Sequence, residues 1–141
     1  RYPEIESRHL YVDTLAMEMV RDPSQFQVIV TCNMFGDILS DLGAALQGGL
    51  GLAPSANIHP GQVSMFETVH GSAPNIAGKN IANPMAAVLT AGMMLDYLGH
   101  SEAGARAEQV VQEALRSEVV TRDLGGMLGT REVGEWIRKR L

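Results

Sequence analysis

Apolar residues recur at Val12, Leu15, Ala16, Met19 and Val20, the three- and four-residue spacing of one helix face. Asp13 or Thr14 falls near the first turn of this predicted helix. Pro23 ends it, since proline has no N–H to continue the ladder. Phe26 to Thr31 reads differently. Gln27-Val28-Ile29-Val30-Thr31 is a continuous, β-branched apolar run, which predicts a buried strand. A helical pattern follows from about Gly36 to Leu46, and the glycine-rich stretch from Gln47 to Ser55 breaks all periodicity. Residues 56–82 show little pattern beyond Val63-Ser64-Met65-Phe66, a short strand candidate. Asn83-Pro84 then opens a clear helix, with Asn as N-cap and Pro at the first helical position, and Gly99 stops it. That helix is apolar nearly all round, so cover on several sides is expected, with Met93 and Met94 in the core. Ser101 caps a helix with Val110, Val111, Ala114 and Leu115 on one face. Asp123 to Gly126 is a turn, and Thr130 caps a final helix carrying Val133, Trp136 and Ile137. The pattern predicts an α/β protein with a helical excess. The helix at 14–20 could equally pack on a partner chain.

Composition narrows the classes. The chain has 141 residues, 45% hydrophobic and 19% charged, enough for a folded core. The formal net charge of −5 argues against a general nucleic-acid surface, which needs a basic face. Arg138, Lys139 and Arg140 suit the end of a helix dipole better. The single cysteine, Cys32, excludes a disulfide framework and points to a reducing compartment, hence the cytoplasm. Cys32 itself is expected to be a small buried residue. No run approaches the roughly 18 apolar residues of a membrane span, and no signal peptide is visible. The chain opens on Arg1-Tyr2-Pro3 instead of Met, as expected for a piece of something longer.

Two places carry candidate chemistry. Asp37 and Asp41 are four residues apart, so a helix presents both carboxylates on one face. Asp37 follows Gly36 and is expected near the helix N-terminus, where the dipole favours negative charge. Spacing alone favours a solvated face with one capping aspartate. A hard cation such as Mg²⁺, however, takes oxygen ligands and leaves positions for substrate, and two helix carboxylates plus a third such as Asp13 would suit it. The second place is Phe66 to Lys79, where small residues would let a ligand approach the backbone. It is no G-x-G-x-x-G fingerprint, and a plain surface loop is the simpler reading of it in isolation. Nucleophilic and zinc chemistry find no support.

Taken in order, these segments closely resemble the β-decarboxylating dehydrogenases, a family that includes 3-isopropylmalate, isocitrate, homoisocitrate and tartrate/D-malate dehydrogenases. The matching stretches are Tyr11 to Met17, Asn33 to Asp41, Gly49 to Asn57, Glu67 to Lys79, Asn80 to Pro84, and Asp123 to Gly126 followed by Thr130. The resemblance implies an isopropylmalate dehydrogenase-like fold, the C-terminal part of a two-domain open α/β enzyme. It implies that residues 1–48 belong to a substrate and dimerisation domain and residues 49–141 to a cofactor domain. It implies Asp37 and Asp41 as Mg²⁺ or Mn²⁺ ligands from one subunit, with Asp13 reaching the same metal, and so the catalytic centre, from the other subunit of a homodimer. It implies that Glu67, His70, Gly71, Ser72, Ala73 and Asn83 hold the cofactor, with Asn75 and Ile76 beside them.

The implied reaction oxidises the hydroxyl of a 2-hydroxy dicarboxylic acid by hydride transfer to NAD(P)⁺, and the β-carboxylate leaves as CO₂. Asn75 stands where NAD-using members usually carry Asp, whose charge would repel a 2′-phosphate. NAD is the expected cofactor, with NADP as the alternative. More than half of the family's chain has no counterpart here, including the expected substrate-binding arginines and the catalytic tyrosine and lysine. The 141 residues alone are therefore expected to be inactive. Two other readings stay open: a non-catalytic nucleotide-binding regulatory relative, and a truncated dimerisation fragment. The three retained aspartates favour the enzyme. For the substrate, the Asn57 to Pro60 loop and the Thr121 to Gly126 stretch resemble the tartrate/D-malate branch slightly more, with isopropylmalate and isocitrate as close alternatives.

Overall fold

The computed structural model describes residues 2–141. They divide into two compact units, one ending at Leu46 and the other running from Gln47 to Leu141.

The first unit holds two helices. Helix α1 (Val12–Arg21) forms on the predicted stripe and buries Leu15 and Met19. A short 3-10 turn at Pro23–Gln25 follows, capped by the Asp22 carboxylate accepting from the Ser24 N–H. Helix α2 (Asn33–Leu46) contributes Leu39, and these three side chains form a small core flanked by Phe26, Phe35 and Leu42.

The strand expected at Gln27–Thr31 does not form. The segment lacks strand structure, and Val28 and Val30 are 81% and 92% exposed. A strand needs a neighbour to take its N–H and C=O groups, and the described residues supply none here. Cys32 is exposed and not buried, because it follows this uncovered segment. Helix α2 starts at Asn33, three residues before the expected Gly36, with Gly36 N–H already bonded to Cys32 O at 2.9 Å. Asp37 consequently lies beyond the first turn, outside the reach of the N-terminal dipole.

The second unit is built on a larger core. A 3-10 turn at Leu50–Leu52 leads into β1 (Pro54–Asn57), a strand that the broken periodicity had hidden. It pairs antiparallel with β2 (Met65–Thr68), Pro54 opposite Thr68 and Asn57 opposite Met65. Helix α3 (Met85–Tyr97) lies against this ribbon, with Phe66 and Tyr97 rings 5.6 Å apart.

Helix α4 (Ser101–Arg116) packs closely on α3 because Gly104 and Gly92 let the backbones meet. A Cβ on Gly104 would stand 2.8 Å from the Gly92 carbonyl oxygen. Helix α5 (Thr130–Arg138) closes the core with Val133 and Ile137, both essentially unexposed, against Leu52, Met85, Val110, Val111, Ala114 and Val120. Met93 and Met94 are partly exposed, 39% and 38%, against the expectation of core positions. The covered faces of α3 are those meeting α4, the ribbon and the Leu50–Leu52 turn, and its exposed side has no cover within the described residues.

Three caps differ by one residue. Pro84 precedes α3, and Asn83 Oδ1 still accepts the Met85 N–H at 2.9 Å. Ser101 and Thr130 are the first helical residues of their helices, behind His100 and Gly129. No helix among the described residues is long and apolar enough to cross a membrane.

Candidate functional site

Three local structures in the second unit meet around one cavity of about 500 Å³. One wall is the loop after β2. Thr68 Oγ1 donates to His70 O at 3.1 Å, which turns the chain out of the strand. The His70 ring lies 3.0 Å from Gly71 O through Nδ1. Two successive turns follow, Ile76 N–H to Ala73 O and Lys79 N–H to Ile76 O. They need left-handed backbone at Gly78 (φ 75°) and tolerate it at Ala73 (φ 42°).

The second wall runs from Asn80 to Asn83. Asn80 also has positive φ, 55°, a conformation that asparagine tolerates better than most residues. It ties the loop to the start of α5 three times. Its carbonyl accepts the Thr130 N–H, its Oδ1 accepts the Arg131 N–H at 2.9 Å, and its Nδ2 donates to Glu132 at 3.1 Å. Thr130 Oγ1 adds a bond to Ala82 O at 2.6 Å. Gly129 is required beside this knot, since a Cβ there would fall 2.2 Å from Asn80 Nδ2.

The third wall is the turn at Arg122–Leu124. Asp123 accepts from Asn83 Nδ2 at 3.0 Å and from Thr121 Oγ1 at 2.5 Å, so both its carboxylate oxygens are occupied. Gly51 packs under this pair.

Glu132 sits next to the cavity wall. Hydrogen bonds from its own backbone N–H and from Asn80, aided by Arg131, hold its carboxyl below the usual glutamate range. The first N–H groups of α5 are already taken by Asn80 and Gly129, so that helix start is not an open anion site.

His70, Gly71, Ser72, Ala73, Ile76 and Asn83 all line the cavity. Glu67 lies on β2 with its side chain exposed, and Asn75 is in the exposed turn; neither is part of the lining. The lining also includes Leu50, Gly51, Asn80, Ile81, Asp123, Thr130 and Arg131, to which no cofactor role had been attached. Asp123 and Thr130 were legible as turn and cap, but nothing local told that they face a loop some forty residues away. Arg131 left no signal at all.

The three aspartates belong to the first unit. Asp37 and Asp41 share one exposed face of α2, and Asp37 Oδ2 accepts from Asn33 Nδ2 at 3.2 Å. Asp13 lies in the first turn of α1, where its Oδ1 accepts the Thr14 N–H at 2.8 Å. Among the described residues no three His, Cys, Asp or Glu side chains gather into a metal cage.

The chain matches the isocitrate/isopropylmalate dehydrogenase family over residues 1–137. It is 52% identical over 140 residues to the 3-isopropylmalate dehydrogenase of Methanothermobacter thermautotrophicus, a match spanning 99% of this chain and 42% of that protein. The homoisocitrate dehydrogenase of Methanocaldococcus jannaschii is also 52% identical, over all of this chain and 42% of its own length. In structure, the isocitrate dehydrogenase of Methylococcus capsulatus superposes with a TM-score of 0.85 at 44% identity, over 99% of this chain and 42% of that one. The Thermus thermophilus protein TT0538 superposes with a TM-score of 0.91 at 49% identity, over 99% of this chain and 29% of that one. The chain thus spans about two fifths of the length of the curated relatives it matches.

Proposed function

Since the chain belongs to the isocitrate/isopropylmalate dehydrogenase family, we propose that it is the C-terminal portion of a β-decarboxylating dehydrogenase acting on a 2-hydroxy dicarboxylic acid. The observation that carries this reading is the cavity between the His70–Gly78 loop, the Asn80–Asn83 segment and the Asp123 turn. Its walls suit the adenosine half of a nicotinamide dinucleotide. Ile76, Ile81 and Leu50 offer apolar cover for a base, while the small residues Gly71, Ser72 and Ala73 let a ribose and its phosphates approach the backbone.

In this role the chain's own residues bind and orient. The Asn80 knot holds the loop against α5, and the Asn83–Asp123 pair fixes the cavity floor. Asp37 and Asp41 fit as two carboxylate donors to Mg²⁺ or Mn²⁺, being exposed on one helix face. Asp13 would complete the set from a second copy in a homodimer. A nicotinamide dinucleotide held in the cavity would supply a hydride acceptor, and a divalent cation held by these aspartates would supply charge stabilisation for the substrate oxygens. A cytoplasmic setting fits the lone, unpaired cysteine.

Isothermal titration with NAD⁺ and NADP⁺ tests the reading. Saturable binding is expected, and Ile76→Glu, which puts a carboxylate into the wall, should abolish it. Binding of neither dinucleotide, or binding indifferent to Ile76→Glu, would overturn it.

A further inference from the structure

We propose that Asn80 is a positioning residue for the cavity: its side chain caps α5 from outside that helix, and this clasp holds the His70–Gly78 loop where a dinucleotide can be taken. The inference rests on the dinucleotide reading of the cavity and goes beyond it by naming the contact on which affinity depends.

Helix α5 has no cap of its own. The residue before it is Gly129, which offers no side-chain acceptor. A larger residue is excluded there, because a Cβ would run into Asn80 Nδ2 and Glu132 Oε2. Asn80 meets the first helical N–H groups instead. The Thr130 N–H donates to Asn80 O at 3.1 Å, and the Arg131 N–H donates to Asn80 Oδ1 at 2.9 Å. Glu132, the third residue of α5, accepts in return from Asn80 Nδ2 at 3.1 Å. In an ordinary capping box the residue before the helix supplies the acceptor, and a Glu or Gln at the third helical position reaches back to it. Here both halves of the box close on one asparagine 51 residues before Arg131.

Asn80 is also the anchor of the loop. The Lys79 N–H closes the last loop turn on Ile76 O, and the next residue, Asn80, turns the chain with a φ of 55°. Asn80 lines the cavity, whereas Glu132 lies outside the lining. The clasp therefore joins the loop to a side chain that a ligand in the cavity need not touch. Apparent affinity scales with the fraction of molecules whose binding-competent state is formed, so opening the clasp lowers it. By linkage, a bound ligand must in turn hold the clasp closed.

The test is isothermal titration of the chain and its variants with NAD⁺ and NADP⁺. Asn80→Gly keeps the left-handed backbone and deletes both side-chain bonds, and it should weaken binding about 3- to 30-fold, the range of one lost cap. Asn80→Asp keeps the acceptor for the Arg131 N–H but sets a carboxylate oxygen against Glu132, and should weaken binding into the same range. Glu132→Gln alone keeps an acceptor for Asn80 Nδ2 and should weaken binding less. When Asn80→Asp and Glu132→Gln are combined, the bond re-forms in the reverse sense, amide donating to carboxylate. Affinity should then return to within about threefold of the wild type. Saturating the wild type with dinucleotide should also slow hydrogen exchange at the Arg131 amide.

Failure of the combined variant to recover would overturn the proposal and leave the dinucleotide reading standing, since a change at Glu132 would not restore an Asn80 that simply touched the ligand. Unchanged affinity in Asn80→Gly, or Arg131 exchange indifferent to ligand, would overturn it in the same way. Binding of neither dinucleotide by the wild type would overturn both. Val133 and Ile137 keep α5 on the core, so the variants should retain the wild-type far-UV circular dichroism.

Discussion

Gly51 couples the stability of the second unit to the floor of its cavity. A Cβ at this position would fall 2.6 Å from Asp123 Oδ2 and 2.8 Å from Asn83 Cβ, closer than real contacts allow. Gly51→Ala must therefore push Asp123 and Asn83 apart. Two bonds stand to be lost: the 3.0 Å Asn83–Asp123 bond and the 2.9 Å bond from the Met85 N–H to Asn83 Oδ1, which caps α3.

A hydrogen bond to a charged group contributes about 1.5–3 kcal/mol, and the exposure of Asp123 puts this one at the low end. The cap contributes about 1 kcal/mol. Against these, replacing glycine by alanine lowers the unfolded chain's entropy, which offsets about 0.4–1 kcal/mol. The net loss is about 1–2 kcal/mol.

Urea unfolding followed by tryptophan fluorescence reads this directly. The chain's one tryptophan, Trp136, packs on the core of the second unit and so reports on that unit rather than the first. With an m-value of about 1–3 kcal/mol/M, the midpoint should drop by roughly 0.3–2 M. In an Asp123→Ala background the same substitution should cost distinctly less, because the closest clash is gone. An unchanged midpoint, or equal costs in the two backgrounds, would refute the mechanism.

Three further expectations follow from the same packing and charges. Ile137→Ala, at a site 1% exposed, should cost about 2–4 kcal/mol by the same urea assay, and a loss under 1 kcal/mol would mean that the α5 contact is not central to the core. Asp37→Asn and Asp41→Asn should each weaken Mn²⁺ binding in electron paramagnetic resonance titrations, while Asp22→Asn, whose carboxylate caps the 3-10 turn, should not; equal effects of all three would remove the metal role of the α2 pair. Glu132 is held below the usual glutamate range when folded, so its contribution is fully present above the unfolded value and is lost as pH falls through the folded one. Glu132→Gln should therefore flatten the decline of the urea midpoint on the acid side, below about pH 4.3, and an unaltered acid limb would contradict this.

The amphipathic stripes at Val12–Val20 and Val110–Leu115 specified their helices because a helix satisfies its backbone hydrogen bonds within itself, so its side-chain period is visible locally. Pro23 and Gly99 marked chain breaks for equally local reasons. The order of the small, glycine-rich and acidic segments was enough to point to the isocitrate/isopropylmalate dehydrogenase family, to which the chain belongs.

Strands were less legible. Gln27–Thr31 has the composition of a strand and is not one here, while Pro54–Asn57 lacks the composition and is one. In both cases the deciding factor is a pairing partner elsewhere in the chain, which composition does not report. Met93, Met94 and Cys32 came out exposed for a related reason: hydrophobicity states what a side chain would bury against, not whether the neighbour is there.

The candidate site divides along the same line. The His70–Ile76 loop could be read from its residues, since a ligand-facing loop needs its small side chains in sequence. Tertiary structure alone brought Asp123, Thr130 and Arg131 to that loop, through the three bonds of Asn80 and the Asn83–Asp123 pair, each spanning forty or more residues. Local periodicity, caps and turn chemistry are properties of neighbouring residues and were determined by the sequence as it stands. Which carboxylates are occupied depends on contacts between segments far apart in the chain, and only the folded structure decided it.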